Sequence, residues 1–112
     1  MALACREYVT PHRAGTKKDD YERLLAIKDA LGPIMARSKS LRFKAKALYQ
    51  VKDLENELLN PKAILAASGG VLPVIWLNVT WQPGDLPAED LRPLEQQFNL
   101  KLLGEFVDEN AV

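Results

Sequence analysis

The stretch on which the fold turns is VLPVIWLNVTW, from Val71 to Trp81. Read with a period of two, Pro73, Ile75, Leu77, Val79 and Trp81 fall on one side of a strand, and Leu72, Val74, Trp76, Asn78 and Thr80 on the other. The first side is wholly apolar. The second begins apolar and turns polar, which predicts an inner strand covered on both faces where it enters the sheet and open on one face where it leaves. Both tryptophans of the chain lie here, and each can bury more than about 150 Å².

Downstream, Gln82-Pro83-Gly84-Asp85 is turn chemistry, with proline presetting φ and glycine free to follow it. Leu86 to Phe98 then carries Ala88, Leu91, Leu94 and Phe98 at helical steps. Pro93 fits if Asp90 caps the main helix, because backbone N–H groups of a first turn have no partner to lose. Leu100 to Val107 alternates as a last strand, with a bulge expected at Gly104. A connection of 18 residues with a helix inside it is long enough for a right-handed crossover. The reading is a C-terminal β-α-β unit with the two strands as parallel neighbours.

Upstream, Asn60-Pro61 opens a short helix through Ala67 that Gly69 can close. Residues 41–59 fit two templates. Leu41, Phe43, Ala45 and Ala47 alternate with Arg42, Lys44 and Lys46 as in a half-buried strand, while Leu41, Ala45, Leu48, Val51, Leu54 and Leu58 recur at helical steps. Residue propensities favour the helix. Thr16-Lys17-Lys18-Asp19 starts a helix whose apolar positions Tyr21, Leu24, Leu25, Ile27 and Leu31 share a face, and Gly32-Pro33 should end or kink it. Residues 3–10 suit a short strand that Pro11 interrupts.

The sum is an α+β (α/β) fold: a helix-rich N-terminal half packed on a small mixed sheet, with helices on one side. Ferredoxin-like topology is its nearest common shape. With 112 residues the chain (1–112) has room for a single globular domain, and an apolar content of 47% is that of packed proteins. Cys5 is the only cysteine, so intramolecular disulfides and thiolate zinc clusters are excluded. The expected compartment is the reducing cytoplasm. No apolar run approaches the ~20 residues of a membrane span, so no membrane partner is expected. Asn78-Val79-Thr80 matches the glycosylation triplet, but it falls inside the strand.

A net charge of zero hides a polarised chain. Residues 1–52 hold twelve Lys or Arg against five acids, and residues 53–112 hold three against ten. Such asymmetry points to an anionic partner for the basic half, to neutralisation of one half by the other on folding, or to copies associating head to tail.

Few residues suggest chemistry. His12, the only histidine, with Arg13, Lys17 and Lys18 at a helix start, makes a possible anion site, although an exposed basic loop is the commoner meaning. Cys5 and His12 are poorly spaced for a thiolate–imidazole pair, so a buried inert thiol is the better reading. Asp53 and Glu57, four apart, could hold a cation but read more simply as a solvated acidic face. The usual metal and acid–base sets are missing, and no metal or cofactor is expected. Catalysis, with a site completed in an oligomer, is the weakest hypothesis.

The strongest binding candidate is Arg37, Lys39, Arg42, Lys44 and Lys46, a run without an acid, which could contact the phosphates of a nucleic acid while Phe43 or Tyr49 stacks on a base. Zero net charge argues against a dedicated nucleic-acid binder. The favoured expectation is therefore a small non-catalytic protein–protein interaction module, a subunit or regulator of a larger assembly, with a protein partner or a second copy. Nucleic acid is the alternative.

Overall fold

The alternation in the central stretch is realised: Ile75, Leu77, Val79 and Trp81 are all buried against one layer of helices. The computed structural model describes residues 3–11, 17–70, 72–85 and 87–108. Along the chain these form β1 (Leu3–Pro11), α1 (Lys17–Arg37), β2 (Arg42–Leu48), α2 (Val51–Asn56), α3 (Pro61–Ala67), β3 (Val74–Trp81), α4 (Pro87–Gln97) and β4 (Lys101–Asp108). The four strands make one sheet in the order β2-β3-β1-β4, every neighbouring pair antiparallel. The result is a small compact α+β domain.

Two cores lie on opposite faces of this sheet. On the first, the odd-numbered residues of β3 meet Ala4 and Tyr8 of β1, Ile27, Leu31 and Ile34 of α1, Ala45 of β2, and Leu91 and Leu94 of α4. On the second, Val74 and Trp76 meet Val9, Leu48, Leu54 of α2 and Ile64 of α3. Each tryptophan therefore anchors a different core. The second core covers only the early part of β3; Asn78 and Thr80, farther along the same face, are half-buried. Covered entry and open exit follow the polarity of the sequence.

Several expectations need correction. Residues 41–59 are not one helix, because β2 occupies Arg42–Leu48 and α2 only Val51–Asn56. The strand template prevails here because β3 takes β2 as its outer neighbour, from Arg42↔Thr80 to Leu48↔Val74. The helical stripe consequently divides: Leu41 and Ala45 enter the first core, Leu48 and Leu54 the second.

The sheet is antiparallel rather than mixed, and β3 and β4 are not neighbours. Each is antiparallel to β1, which lies between them, so the β3-α4-β4 crossover skips a strand position. The N-terminal half is also less helical than expected, supplying β1 and β2, and helices cover both faces rather than one. β1 is easily undervalued because Arg6 and Glu7 interrupt its apolar pattern. Both are accommodated: Arg6 Nη2 lies 3.2 Å from Glu105 Oε2, and Glu7 Oε2 accepts from Trp76 Nε1 at 3.0 Å.

Two helices run through proline. α1 continues past Gly32-Pro33 to Arg37, and α4 begins at Pro87 with Pro93 inside it. A proline removes one helical hydrogen bond and crowds the carbonyl four residues earlier. Pro33 and Pro93 both face solvent, as do Asp29 and Glu89 four residues before them. The freed carbonyls are on hydrated faces, while buried Leu31, Ile34, Leu91 and Leu94 hold the helices to the sheet. Among the described residues, no helix is long and apolar enough to cross a membrane.

Candidate functional site

The basic segment is built on β2, an edge strand, and alternation places Arg42, Lys44 and Lys46 on one face, all exposed. They are not free charges. Glu57, just past the end of α2, binds Lys44 at 3.1 Å and also contacts Lys46, and these bonds hold its carboxyl below the usual carboxylate range. Arg42 donates to the carbonyls of Lys39 and Leu41, and Arg37 reaches Asp90 at 3.2 Å on α4. Lys44 Nζ also lies 6.0 Å above the Trp76 ring. Three of the five candidates thus share a face, while Arg37 is drawn to another element. The pairs Lys44–Glu57, Lys46–Glu57, Arg37–Asp90, Arg6–Glu95 and Arg6–Glu105 each join a base from residues 1–52 to an acid from residues 53–112. Folding sets the two oppositely charged halves against each other.

His12 and Arg13, expected at an anion site, lie outside the described residues, as does the Lys17 side chain; Lys18 is exposed. Asp53 accepts from the backbone N–H groups of Tyr49 and Gln50, both at 3.0 Å, and so caps α2. Among the described residues no three His, Cys, Asp or Glu side chains converge as a metal site. Cys5 is buried, accepts from Asn78 Nδ2 at 3.2 Å, and has its thiol pKa raised by burial, which disfavours the reactive thiolate.

On the first-core face, Tyr8 donates to Glu95 Oε1 at 2.9 Å while Arg6 Nη1 approaches the same oxygen at 3.3 Å. Burial pushes the Tyr8 phenol up to about 12, with the Glu95 carboxylate adding to the effect. The cluster ties β1 to α4.

What the sequence reading missed is the other edge. β4 exposes Leu102 (50%), Phe106 (50%) and Val107 (55%), and among the described residues it pairs with β1 alone. Gly104 is in register with Glu7 and Leu102 with Tyr8, so Leu103 is the extra residue of a bulge. Leu103 turns toward the second core and, with Gly104, Phe106, Leu58, Leu59, Asn60, Ala63, Ile64 and Glu7, lines an open groove of about 300 Å³. Leu58, on its rim, is 94% exposed with φ at +58°. Left-handed backbone costs a side-chain-bearing residue about 1–2 kcal/mol. The conformation closes α2: Leu58 N–H donates to the Glu55 carbonyl and Leu59 N–H to the Leu54 carbonyl, both at 3.0 Å, the bond pair of a left-handed helix C-cap, and it leaves the Leu58 side chain in solvent at the groove. One signal for the edge was present in sequence: the adjacent pairs Leu102-Leu103 and Phe106-Val107 put apolar groups on both faces of the last strand.

Compared with family models, curated proteins and solved structures, the chain matches none.

Proposed function

We propose that this chain is a small non-catalytic protein–protein interaction module on a ferredoxin-like scaffold, a subunit or regulator of a larger assembly, and that β4 is its docking edge. The observation that carries the reading is the contrast between the two sheet edges. β2 bears exposed Arg42, Lys44 and Lys46, the kind of charged edge that discourages strand addition. β4 bears exposed Leu102, Phe106 and Val107 beside an apolar groove. A partner strand added there gains backbone hydrogen bonds and covers apolar side chains together.

Nucleic acid stands second. The basic face of β2 favours it, but Glu57 already binds two of its three cations. The test uses the full chain and a Phe106→Lys/Val107→Lys variant, both checked for folding by circular dichroism. The expected result is association by the parent chain, with itself or with protein from a cell extract at moderate salt, that the variant loses. Equal association by the two, or none by either, overturns the reading.

A further inference from the structure

We infer that the occupant of the β4 edge is a second copy of this chain, paired β4 to β4 in antiparallel fashion about a two-fold axis to give an eight-stranded sheet; this rests on the interaction reading above. The inference comes from the self-complementarity of the strand. With the axis between Gly104 and Glu105, Leu102 falls opposite Val107 of the second copy, and Leu103 falls opposite its Phe106. Opposed residues of an antiparallel pair must point to the same side of the sheet. For both apolar pairs they do, because of the bulge; the central pair, Gly104 with Glu105, is the exception, since Gly104 is in register with Glu7 and Glu105 with Arg6 on the other face. Leu102 and Val107 are in register with Tyr8 and Ala4 of β1, both in the first core. Leu103 and Phe106 line the groove on the opposite face. Without the extra residue at Leu103, both apolar pairs would join side chains from opposite faces. At the centre, Gly104 has no side chain to conflict with Glu105 of the other copy.

Neighbouring registers lose either the face match or the apolar match: an axis between Leu103 and Gly104 keeps opposed residues on matching faces but sets Leu102 against Glu105 and Lys101 against Phe106. An axis through Glu105 sets that carboxylate against its own copy, and an axis through Gly104 matches Leu102 with Phe106 across faces. An axis through Phe106 leaves Leu102 and Leu103 without partners on the strand. Pairing through β2 is worse: an axis at Lys44 lays that residue against itself and Arg42 against Lys46, all on one face. The chosen arrangement brings Phe106 of the second copy beside Leu103, at the mouth of the groove that Leu58 borders. The same surface serves both copies, as a closed two-fold dimer requires.

An eight-residue strand is about 27 Å long at ~3.4 Å per residue. One strand pair of that length is a small contact beside the roughly 1,200–2,000 Å² buried in stable complexes. The dimer should therefore exchange with monomer on dilution.

Sedimentation equilibrium of the full chain over about a hundredfold dilution series tests this. The expected result is a mass approaching twice 12.5 kDa at the concentrated end and falling to 12.5 kDa at the dilute end. Val107→Lys and Leu102→Glu, both at exposed positions, should stay folded while each weakens self-association by about 100-fold or more. Mixed together, the two variants should form a heterodimer, since the introduced lysine of one then faces the introduced glutamate of the other, while Leu102 and Val107 still meet at the second pair. Failure of the mixture to associate more than either variant alone overturns the register. A mass that grows past the dimer overturns the closed arrangement. A monomeric parent chain whose β4 still binds a different protein overturns the second copy and leaves the interaction reading standing; a monomer with no β4-dependent binding sinks both.

Discussion

Leu77 and Asn78 are consecutive residues of β3 on opposite faces, and truncating each to alanine should give very different losses. Leu77 is fully buried in the first core. Leu77→Ala removes three carbons from a site between β1, α1 and α4 where collapse is limited, so the cost is about 2–5 kcal/mol. At about 4 °C per kcal/mol for a chain of this size, the melting temperature should fall by ~8 °C or more. Asn78 is half-buried, and its amide donates to Cys5 Sγ, a weak acceptor. Asn78→Ala should cost less than about 1 kcal/mol. Urea unfolding of both variants, at a low and fixed protein concentration so that association does not contribute, reads the difference directly. Equal losses, or a loss below about 1 kcal/mol for Leu77→Ala, would refute the two-faced reading of β3.

Three further outcomes are expected. Tyr8 is neutral in the fold, with its pKa raised from 10.0 to about 12, so its contribution to stability is full below pH 10 and is lost as pH rises through 12; alkaline unfolding followed with phenolate absorbance should show this window, and Tyr8→Phe should remove the Tyr8 phenolate signal. Glu57 has a lowered pKa, so the bonds to Lys44 and Lys46 stabilise the fold above the ordinary carboxylate range and are lost as pH falls through its lowered value. Glu57→Gln should correspondingly raise the low-salt affinity for an oligonucleotide, an effect that steepens with falling salt; unchanged affinity would mean that this carboxylate does not mask the basic face. Leu58→Gly should relieve the left-handed backbone and raise stability by up to about 1 kcal/mol while weakening association through β4, measured by urea unfolding and by sedimentation.

Much of this fold could be read from local pattern. β3 declared itself because both of its faces carry an interpretable sequence, and α3 because Asn60-Pro61 and Gly69 mark its ends; the Asn60 side chain does accept from Lys62 N–H. The errors came where the deciding interaction was remote. β2 had equally good helical and strand periods, and only the neighbouring strand β3 separates them. β1 looked marginal since Arg6 and Glu7 break its pattern, yet their partners, Glu95, Glu105 and Trp76, are distant in sequence. The charge asymmetry was visible, but its use in ion pairs between the halves depended on the strand order. The β4 edge escaped notice because alternation was sought there, whereas two adjacent apolar pairs around a bulge give none.

Association through the edge of β4, and not through β2, should leave its mark on backbone exchange. Amide hydrogen exchange, resolved by residue and repeated as protein concentration is raised, tests it most directly. The predicted result is slowing within Lys101–Asp108 as the dimer forms, with exchange in Arg42–Leu48 unchanged. Association accompanied by protection of β2, or with no change in β4, would contradict it.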